Sequence, residues 1–263
     1  MKRILTVQDL SCVGKCSLTV ALPIISALEI EACALPTALL SNHTAFKDFS
    51  FFDLSEQTKE IVQKMNNFKF DGIYAGYLGN IELIDTVCSL ASAHSESVIF
   101  VDPVMGDNGK LYTGFTEEYP EKMRKLCAKA NYIVPNITEA EFLLKKPIND
   151  VFSAAKELCE LGPDVSVITG VISNNRTGAV AYKKSTDEFF EYYHSTIARS
   201  SHGTGDVFAS VFFGKIINGF SVPDALSAAV DFTCASIEQT LDDEGTWYGV
   251  NFEKVLPTLF YKH

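Results

Sequence analysis

Long hydrophobic runs are missing from this chain of 263 residues. Its apolar stretches are short and end in Asp, Pro or Gly, well below the roughly 18 residues that a membrane-spanning helix needs. Basic clusters are missing too. Lys+Arg number 22 against 33 Asp+Glu, for a net charge of −11. No Lys/Arg run exceeds a doublet, as at Lys2-Arg3, Lys145-Lys146 and Lys183-Lys184. Generic binding to nucleic acid or to an anionic membrane needs a basic face, so neither is expected as a partner. An anionic small molecule stays possible, because a local nest of backbone N–H groups outweighs net charge at short range. The seven cysteines, at 12, 16, 33, 88, 127, 159 and 234, are odd in number and form no paired metal-like spacing. Free thiols in a reducing cytoplasm are expected. The opening Lys2-Arg3 is basic, but the apolar stub at 4–7 stops at Gln8-Asp9, too short for the core of a secretory signal.

Several catalytic signatures are also absent. A Walker A loop requires G-x-x-x-x-G-K-[ST]. Gly14-Lys15 supplies part of it, but Asp9 stands at the first glycine position and Cys16 at the last. No G-x-G-x-x-G follows the first apolar run, and neither G-x-S-x-G nor H-E-x-x-H occurs, which removes support for a dinucleotide fold, a serine hydrolase and a zinc protease.

What is present is the composition of a globular α/β protein, 47% apolar and 21% charged. Apolar spacing predicts strands at 4–7, 32–40, 72–76, 98–101, 132–134 and 165–168, and a hairpin from 179–182 and 189–193. It predicts helices at 18–28 (kinked at Pro23), 54–65, 81–93, 117–128, 138–144, 151–161, 207–217, 222–241 (whole or broken) and 252–259. Alternation of strand and helix, with no repeat or linker, implies one α/β domain over 1–263: three layers, with a mostly parallel central sheet flanked by helices. In such sheets ligands bind at the carboxyl ends of the strands. Asp9, Gly76-Tyr77, Asp102, Asn136 and Thr169 fall there.

Four segments could carry chemistry. His202-Gly203-Thr204-Gly205-Asp206 precedes a strongly apolar helix. Two glycines and a helix N-terminus make an anion site, and the adjacent carboxylate could take a proton from an attacking hydroxyl; the same residues could equally be a simple helix cap. Asp102-Pro103-Val104-Met105-Gly106-Asp107 sets two carboxylates on a loop, either gathering Mg²⁺ with phosphate oxygens or, for Asp107-Asn108-Gly109, making a turn. Asn136-Ile137-Thr138-Glu139-Ala140-Glu141 reads as a cap, from Asn136 or from Thr138 with Glu141 completing a capping box, or as a metal–phosphate element through Glu139. Ser41-Asn42-His43-Thr44 and Gly76-Tyr77-Leu78-Gly79 are polar or glycine-bearing loops after strands.

Taken in order along the chain, these segments resemble the ribokinase-like superfamily of small-molecule kinases. Ser41-Asn42-His43-Thr44, Gly76-Tyr77-Leu78-Gly79 and Val7-Gln8 resemble its pyridoxal/pyridoxamine kinase family in particular. The resemblance implies phosphorylation of the 5′-hydroxyl of vitamin B6 by ATP in a cytoplasmic homodimer that uses Mg²⁺ and often a monovalent cation such as K⁺. By position, Asp206 matches the catalytic base, and Gly203, Thr204 and Gly205 match the anion hole. Asn136 and Glu139 match the motif near the ATP phosphates and Mg²⁺. Asp102 and Asp107 match acidic positions on the phosphate–metal side, the latter and Glu139 reaching the metal through water, and Thr169 matches a residue that touches ATP. Thr44 and Tyr77 match contacts to the pyridine ring. Residues 183–200 are expected near the nucleotide as part of a cover, with Arg199 as a phosphate partner. Asp9 departs from the family pattern, which often has Ser there. A carboxylate at that point could pair with the substrate's amine or pyridinium and favour pyridoxamine over pyridoxal. Two other readings stand beside this one: a hydroxymethylpyrimidine kinase of the same superfamily, and a non-catalytic B6-binding protein.

Overall fold

Nine strands make one sheet in the order β11-β10-β9-β8-β5-β4-β1-β2-β3. This is seen in a computed structural model that describes residues 1–65, 67–197 and 202–260. In chain order the elements are β1 (Arg3–Val13), α1 (Leu18–Ala27), β2 (Glu31–Asn42), β3 (Phe51–Asp53), α2 (Ser55–Met65), β4 (Gly72–Ala75) and α3 (Ile81–Ala93). These are followed by β5 (Val98–Val101), β6 (Gly106–Asp107), β7 (Lys110–Leu111), α4 (Glu118–Cys127), β8 (Tyr132–Ile133), α5 (Ile137–Leu144) and α6 (Val151–Cys159). The chain then forms β9 (Val165–Ser173), β10 (Arg176–Lys183), β11 (Glu188–Ser195), α7 (Thr204–Ile217) and α8 (Val222–Glu238). From β2 to β9 the neighbours are parallel; β3 pairs antiparallel with β2 at one edge, and β10 pairs antiparallel with both β9 and the edge strand β11 at the other. β6 and β7 form a separate small hairpin.

The strand side chains alternate between two cores. Ile4, Tyr74, Phe100, Val165 and Val167 pack with α1, α7 and α8 on one face. Leu5, Val7, Ile73, Ile99, Val101 and Ile168 pack with α3 to α6 on the other. Helices on both sides explain why the central strands are apolar almost throughout. α7 has buried residues all round, from Val207 to Gly214, as expected of a helix sunk between a sheet and another helix.

Four expectations need correction. β1 does not stop at Asp9 but continues to Val13. Asp9 lies at an irregularity where β1 advances from Gln8 to Leu10 while β2 advances from Pro36 to Leu39, and the Ser11 hydroxyl donates to its carboxylate at 3.1 Å. β9 runs through Thr169 to Ser173 because β10 keeps pairing with it after β8 has ended. Residues 252–259 are not an α-helix but 3-10 turns at Phe252–Lys254 and Leu256–Phe260, a form short segments take readily and one compatible with Pro257. Most of 183–197 is strand rather than covering loop: β11 pairs along β10, and the Tyr192 hydroxyl donates to Asp231 of α8 at 3.1 Å. Arg199 lies outside the described residues. α1 continues through Pro23, and α8 is unbroken to Glu238.

Candidate active site

α7 begins where the chain turns sharply at Gly203, its N-cap, whose φ is 77°. The Val207 N–H donates back to the Gly203 carbonyl at 3.0 Å, so the N–H groups of the first turn point outward from the helix start. Above that turn there is room: a Cβ at Gly205 would meet nothing within 4 Å. The partial positive charge of a helix N-terminus adds to those donors, and together they can receive an anionic group.

Asp206 sits in the same turn and is partly buried. Its carboxylate accepts the backbone N–H of Ser17, yet burial outweighs that hydrogen bond and lifts its pKa to about 7, with the Asp9 charge adding to the rise. A carboxyl poised near neutrality is suited to general-base work. Ser17 is the N-cap of α1 with φ 48°, and its side chain also favours the ionised form of Asp9. Residue reading missed Ser17; its only signal was a polar residue directly before an apolar helix.

A line of carboxylates runs from this point across the sheet. Asp9, 6% exposed, has its pKa raised by burial, which outweighs the hydrogen bonds of Ser17 and Ser11. Tyr77 is pushed up to about 12 by burial, then by Asp9 and Asp53, which places its phenol on the Asp9 side of the site. Its ring stacks on Phe115 at 5.6 Å. Asp102, at the end of β5, is held well above the usual carboxylate range by burial and then by the charges of Glu139 and Asp206. Glu139 is raised as well, chiefly by burial. Two buried carboxyls this close cannot both ionise freely. Thus five of the expected residues form an electrostatic chain, each acting on the next, from Tyr77 to Asp9, Asp206, Asp102 and Glu139.

Glu139 also does local work. Its Oε2 accepts the Asn136 N–H at 2.9 Å, while Asn136 Oδ1 accepts the Glu139 N–H at 2.9 Å. This is a complete capping box on α5. Its other oxygen accepts the Met105 N–H at 3.1 Å, and Asn136 Nδ2 donates to the Gly106 carbonyl at 2.9 Å. The cap is therefore Asn136 with Glu139, not Thr138 with Glu141. The Thr138 hydroxyl accepts from the Gly109 N–H at 2.9 Å, and Glu141 accepts from Ile148 N–H at 3.0 Å. A single unit thus ties the loop after β5 to the start of α5. Thr169 meets it through an isolated parallel bridge to Asn136. Asp107 is exposed and accepts the Asn108 N–H at 2.8 Å and the Asn108 side-chain amide at 2.9 Å, the turn chemistry its sequence allowed.

Within Ser41-Asn42-His43-Thr44 the inward residue is His43, not Thr44. His43 is 6% exposed. Its Nδ1 accepts from the Ala45 N–H at 3.2 Å, so Nε2 carries the proton and donates to the Tyr248 carbonyl at 2.7 Å. Phe46 then lies 4.7 Å from Trp247, and the His43 and His202 rings lie 5.3 Å apart. Thr44 is exposed. Lys15 of the incomplete Walker pattern is engaged elsewhere, its ammonium donating to Asn251 Oδ1 at 2.7 Å and Glu253 Oε2 at 2.8 Å. A cavity of about 690 Å³ opens beyond Tyr77, lined by Asp53, Asn80, Phe115 and Tyr119 among others, and none of Asp9, Asp102, Glu139 or Asp206 lines it.

The phosphomethylpyrimidine kinase family model matches residues 21–250. Among solved structures, a Bacteroides thetaiotaomicron protein assigned to the phosphomethylpyrimidine kinases is 37% identical. It superposes with a TM-score of 0.96 over 100% of this chain and 95% of that one, and a second crystal form of it contains pyridoxal. The pyridoxal kinase of Lactobacillus plantarum is 28% identical, with a TM-score of 0.93 over 98% of this chain and 96% of that one. The pyridoxal kinase PdxY of Rubrobacter xylanophilus is 25% identical over 256 residues, covering 90% of this chain and 87% of that protein. The chain thus belongs to the phosphomethylpyrimidine kinase family, and the kinship with pyridoxal kinases that its motifs implied holds in sequence and in fold.

Proposed function

We propose that this protein transfers the terminal phosphoryl group of ATP to the 5′-hydroxyl of a B6 vitamer: pyridoxal, pyridoxamine or pyridoxine. The observation that carries the reading is Asp206, a carboxyl with its pKa lifted to about 7, set in the first turn of a helix whose N-terminus faces open space at Gly205. In this reading Asp206 accepts the hydroxyl proton as the oxygen attacks phosphorus. The N–H groups around Gly203, Thr204 and Gly205 hold the transferred group, supplying the positioning and charge stabilisation on which phosphoryl transfer depends. Asp102, Asn136, Glu139 and Thr169 form the nucleotide side, and Asp9, Tyr77 and Thr44 the vitamer side. The whole chain, 1–263, acts as one kinase domain.

The donor set fits a divalent cation that arrives with the nucleotide. Among the described residues no three His, Cys, Asp or Glu side chains converge to hold a metal, and Mg²⁺ in such sites takes one or two carboxylates and completes its shell with phosphate oxygens and water. Asp107 and Glu139 would hold it through water, and bound Mg²⁺ would neutralise charge on the phosphates. A monovalent cation such as K⁺ would act on the same side. Exposed Phe51 and Phe52, 47% and 59% accessible on edge strand β3, support a second copy of the chain as the partner that covers this edge.

Pyridoxal in a crystal form of the 37% identical neighbour and the named pyridoxal kinases among the relatives support B6 as the acceptor. The family match itself favours a second reading, hydroxymethylpyrimidine as acceptor. Turnover with ATP and Mg²⁺ on pyridoxal, pyridoxamine, pyridoxine and hydroxymethylpyrimidine in parallel decides between them. Turnover on the B6 vitamers is expected; turnover on the pyrimidine alone would leave the role of Asp206 standing and remove those of Tyr77 and Thr44.

A further inference from the structure

His43 is buried, and the reaction described above gives it no part. Both of its ring nitrogens are engaged, Nδ1 by the Ala45 N–H and Nε2 by the Tyr248 carbonyl. An imidazole in that state has no lone pair for a metal and no open position for a proton. Neither ligation nor acid–base work falls to it. What it does is join segments that lie far apart in the chain.

Four segments meet on this one residue. The first is the end of β1 and the loop after it. The His43 N–H donates to the Val13 carbonyl at 3.2 Å, and a Cβ on Gly14 would stand 2.4 Å from His43 Cδ2. That loop carries the Ser17 N–H to the Asp206 carboxylate. The second is the turn before α7. The ring of His202, directly before Gly203, lies 5.3 Å from the His43 ring, within the range of aromatic pairs. The third is the C-terminal loop, which supplies the Tyr248 carbonyl at 2.7 Å. That carbonyl is a fixed point: the Gly249 N–H donates to the Thr246 carbonyl at 3.3 Å, and the Asn251 N–H donates to the Thr240 hydroxyl at 2.8 Å, just past α8. The fourth is the loop of His43 itself, with Thr44 next in the chain and the Phe46 ring 5.0 Å away.

We propose that His43 is a positioning residue for phosphoryl transfer: it fastens the loops at 14–17 and 43–46 to the turn before α7 and to the C-terminal loop, so that the acceptor, the base and the anion hole stay in register. A buried histidine that served packing alone would have no cause to stand here. Each chain segment within the site that it joins carries a part of the proposed machinery: Ser17 behind Asp206, Gly203 beside His202, and Thr44. A misplacement of about 1 Å in such a constellation can cost 10²-fold in rate. The nucleotide side is held by its own unit, Asn136 and Glu139 with the loop at 105–106. Among the described residues, no hydrogen bond or ring contact of His43 reaches that unit. Loss of His43 therefore acts on turnover and spares the binding of ATP.

The inference rests on the functional reading above, and three variants test it. His43→Gln sets its amide nitrogen the same number of bonds from Cβ as the imidazole Nε2, so it can still donate to Tyr248. His43→Asn sets its oxygen where Nδ1 stands, so it can still accept from Ala45 but does not reach Tyr248. His43→Ala keeps neither bond. Each is assayed with ATP, Mg²⁺ and the best acceptor at a temperature where circular dichroism shows it folded. His43→Ala and His43→Asn are expected to lower kcat about ten- to a hundredfold, with KM for ATP within about twofold. His43→Gln is expected to stay within about fivefold of the wild type, and its comparison with His43→Asn stands even where His43→Ala does not fold. A packing role alone would lower Tm and leave kcat of the folded variants unchanged, which overturns the proposal. Equal loss of kcat in His43→Gln and His43→Asn overturns it too, as does a loss confined to KM for ATP. A wild-type protein that phosphorylates none of the four acceptors defeats the functional reading, and this inference with it. An active wild type with unaffected variants defeats the inference alone.

Discussion

A Cβ on Gly203 would stand 1.8 Å from the carbonyl oxygen of Lys15. The loop before α1 and the start of α7 are thus in backbone contact, and this contact brings the Ser17 N–H to the Asp206 carboxylate. The first expectation follows from it. Gly203→Ala meets both the collision and a φ of 77°, a conformation that costs an L-residue roughly 1–2 kcal/mol. It should lower Tm and cut kcat by about a hundredfold or more, because displacement of the helix start by an ångström has that effect on catalysis. Gly205→Ala, with open space around it, should fold like the wild type and lose activity only by crowding the transferred group. Equal loss of Tm in both variants would contradict the backbone-contact account.

Asp206→Asn separates catalysis from binding. Removal of the base should lower kcat about 10²- to 10⁴-fold while calorimetric binding of the B6 vitamer persists; a protein that merely binds the vitamer would be indifferent. The wild-type kcat should rise with pH through about 7 as Asp206 loses its proton. Stability moves the other way. The folded-state pKa lies above the ordinary 3.8, so this group's contribution is intact below that value and is lost as pH rises through about 7. Asp206→Asn should therefore be more thermostable than the wild type at pH 8, with the difference closing toward pH 4. Thermal unfolding at both pH values checks the sign.

Asp9 is expected to sort the vitamers. Burial makes its charge costly, and a substrate ammonium would offset that cost. In Asp9→Ser the ratio of kcat/KM for pyridoxamine over pyridoxal should fall by about tenfold, the size of one charge-assisted hydrogen bond. An unchanged ratio removes Asp9 from vitamer selection.

Lys15 should prove structural. Its ammonium is committed to Asn251 and Glu253, so Lys15→Met should cost about 1 kcal/mol of stability and leave KM for ATP within about twofold. A large rise in KM for ATP would mean that the lysine leaves its partners for the nucleotide.

Much of the layout was legible in the residues. The helix at 81–93 and the strand at 98–101 match α3 and β5 end for end, because period and flanking polar residues agree there. β3 was not foreseen: three exposed residues at a sheet edge carry no burial pattern. The extension of β1 past Asp9 was missed because a buried carboxylate inside a strand violates apolar alternation, and only the hydrogen bonds of Ser11 and Ser17 make the position tolerable. The cap was read as either Asn136 or Thr138, and only the box partner was missed, since Asn136 with Glu139 and Thr138 with Glu141 have the same spacing.

The sequence by itself determined the alternation of strands and helices, hence a helix-covered parallel sheet, and the identity of the turn before α7. These follow from side-chain period and from glycine and carboxylate chemistry, which act over a few residues. Tertiary structure alone decided which carboxylates face one another, why His43 rather than Thr44 turns inward, and how a loop at 14–17 comes to hold Asp206. The reason is dielectric as much as geometric: a carboxyl becomes a base near neutrality only when distant segments bury it enough that desolvation outweighs its hydrogen bond.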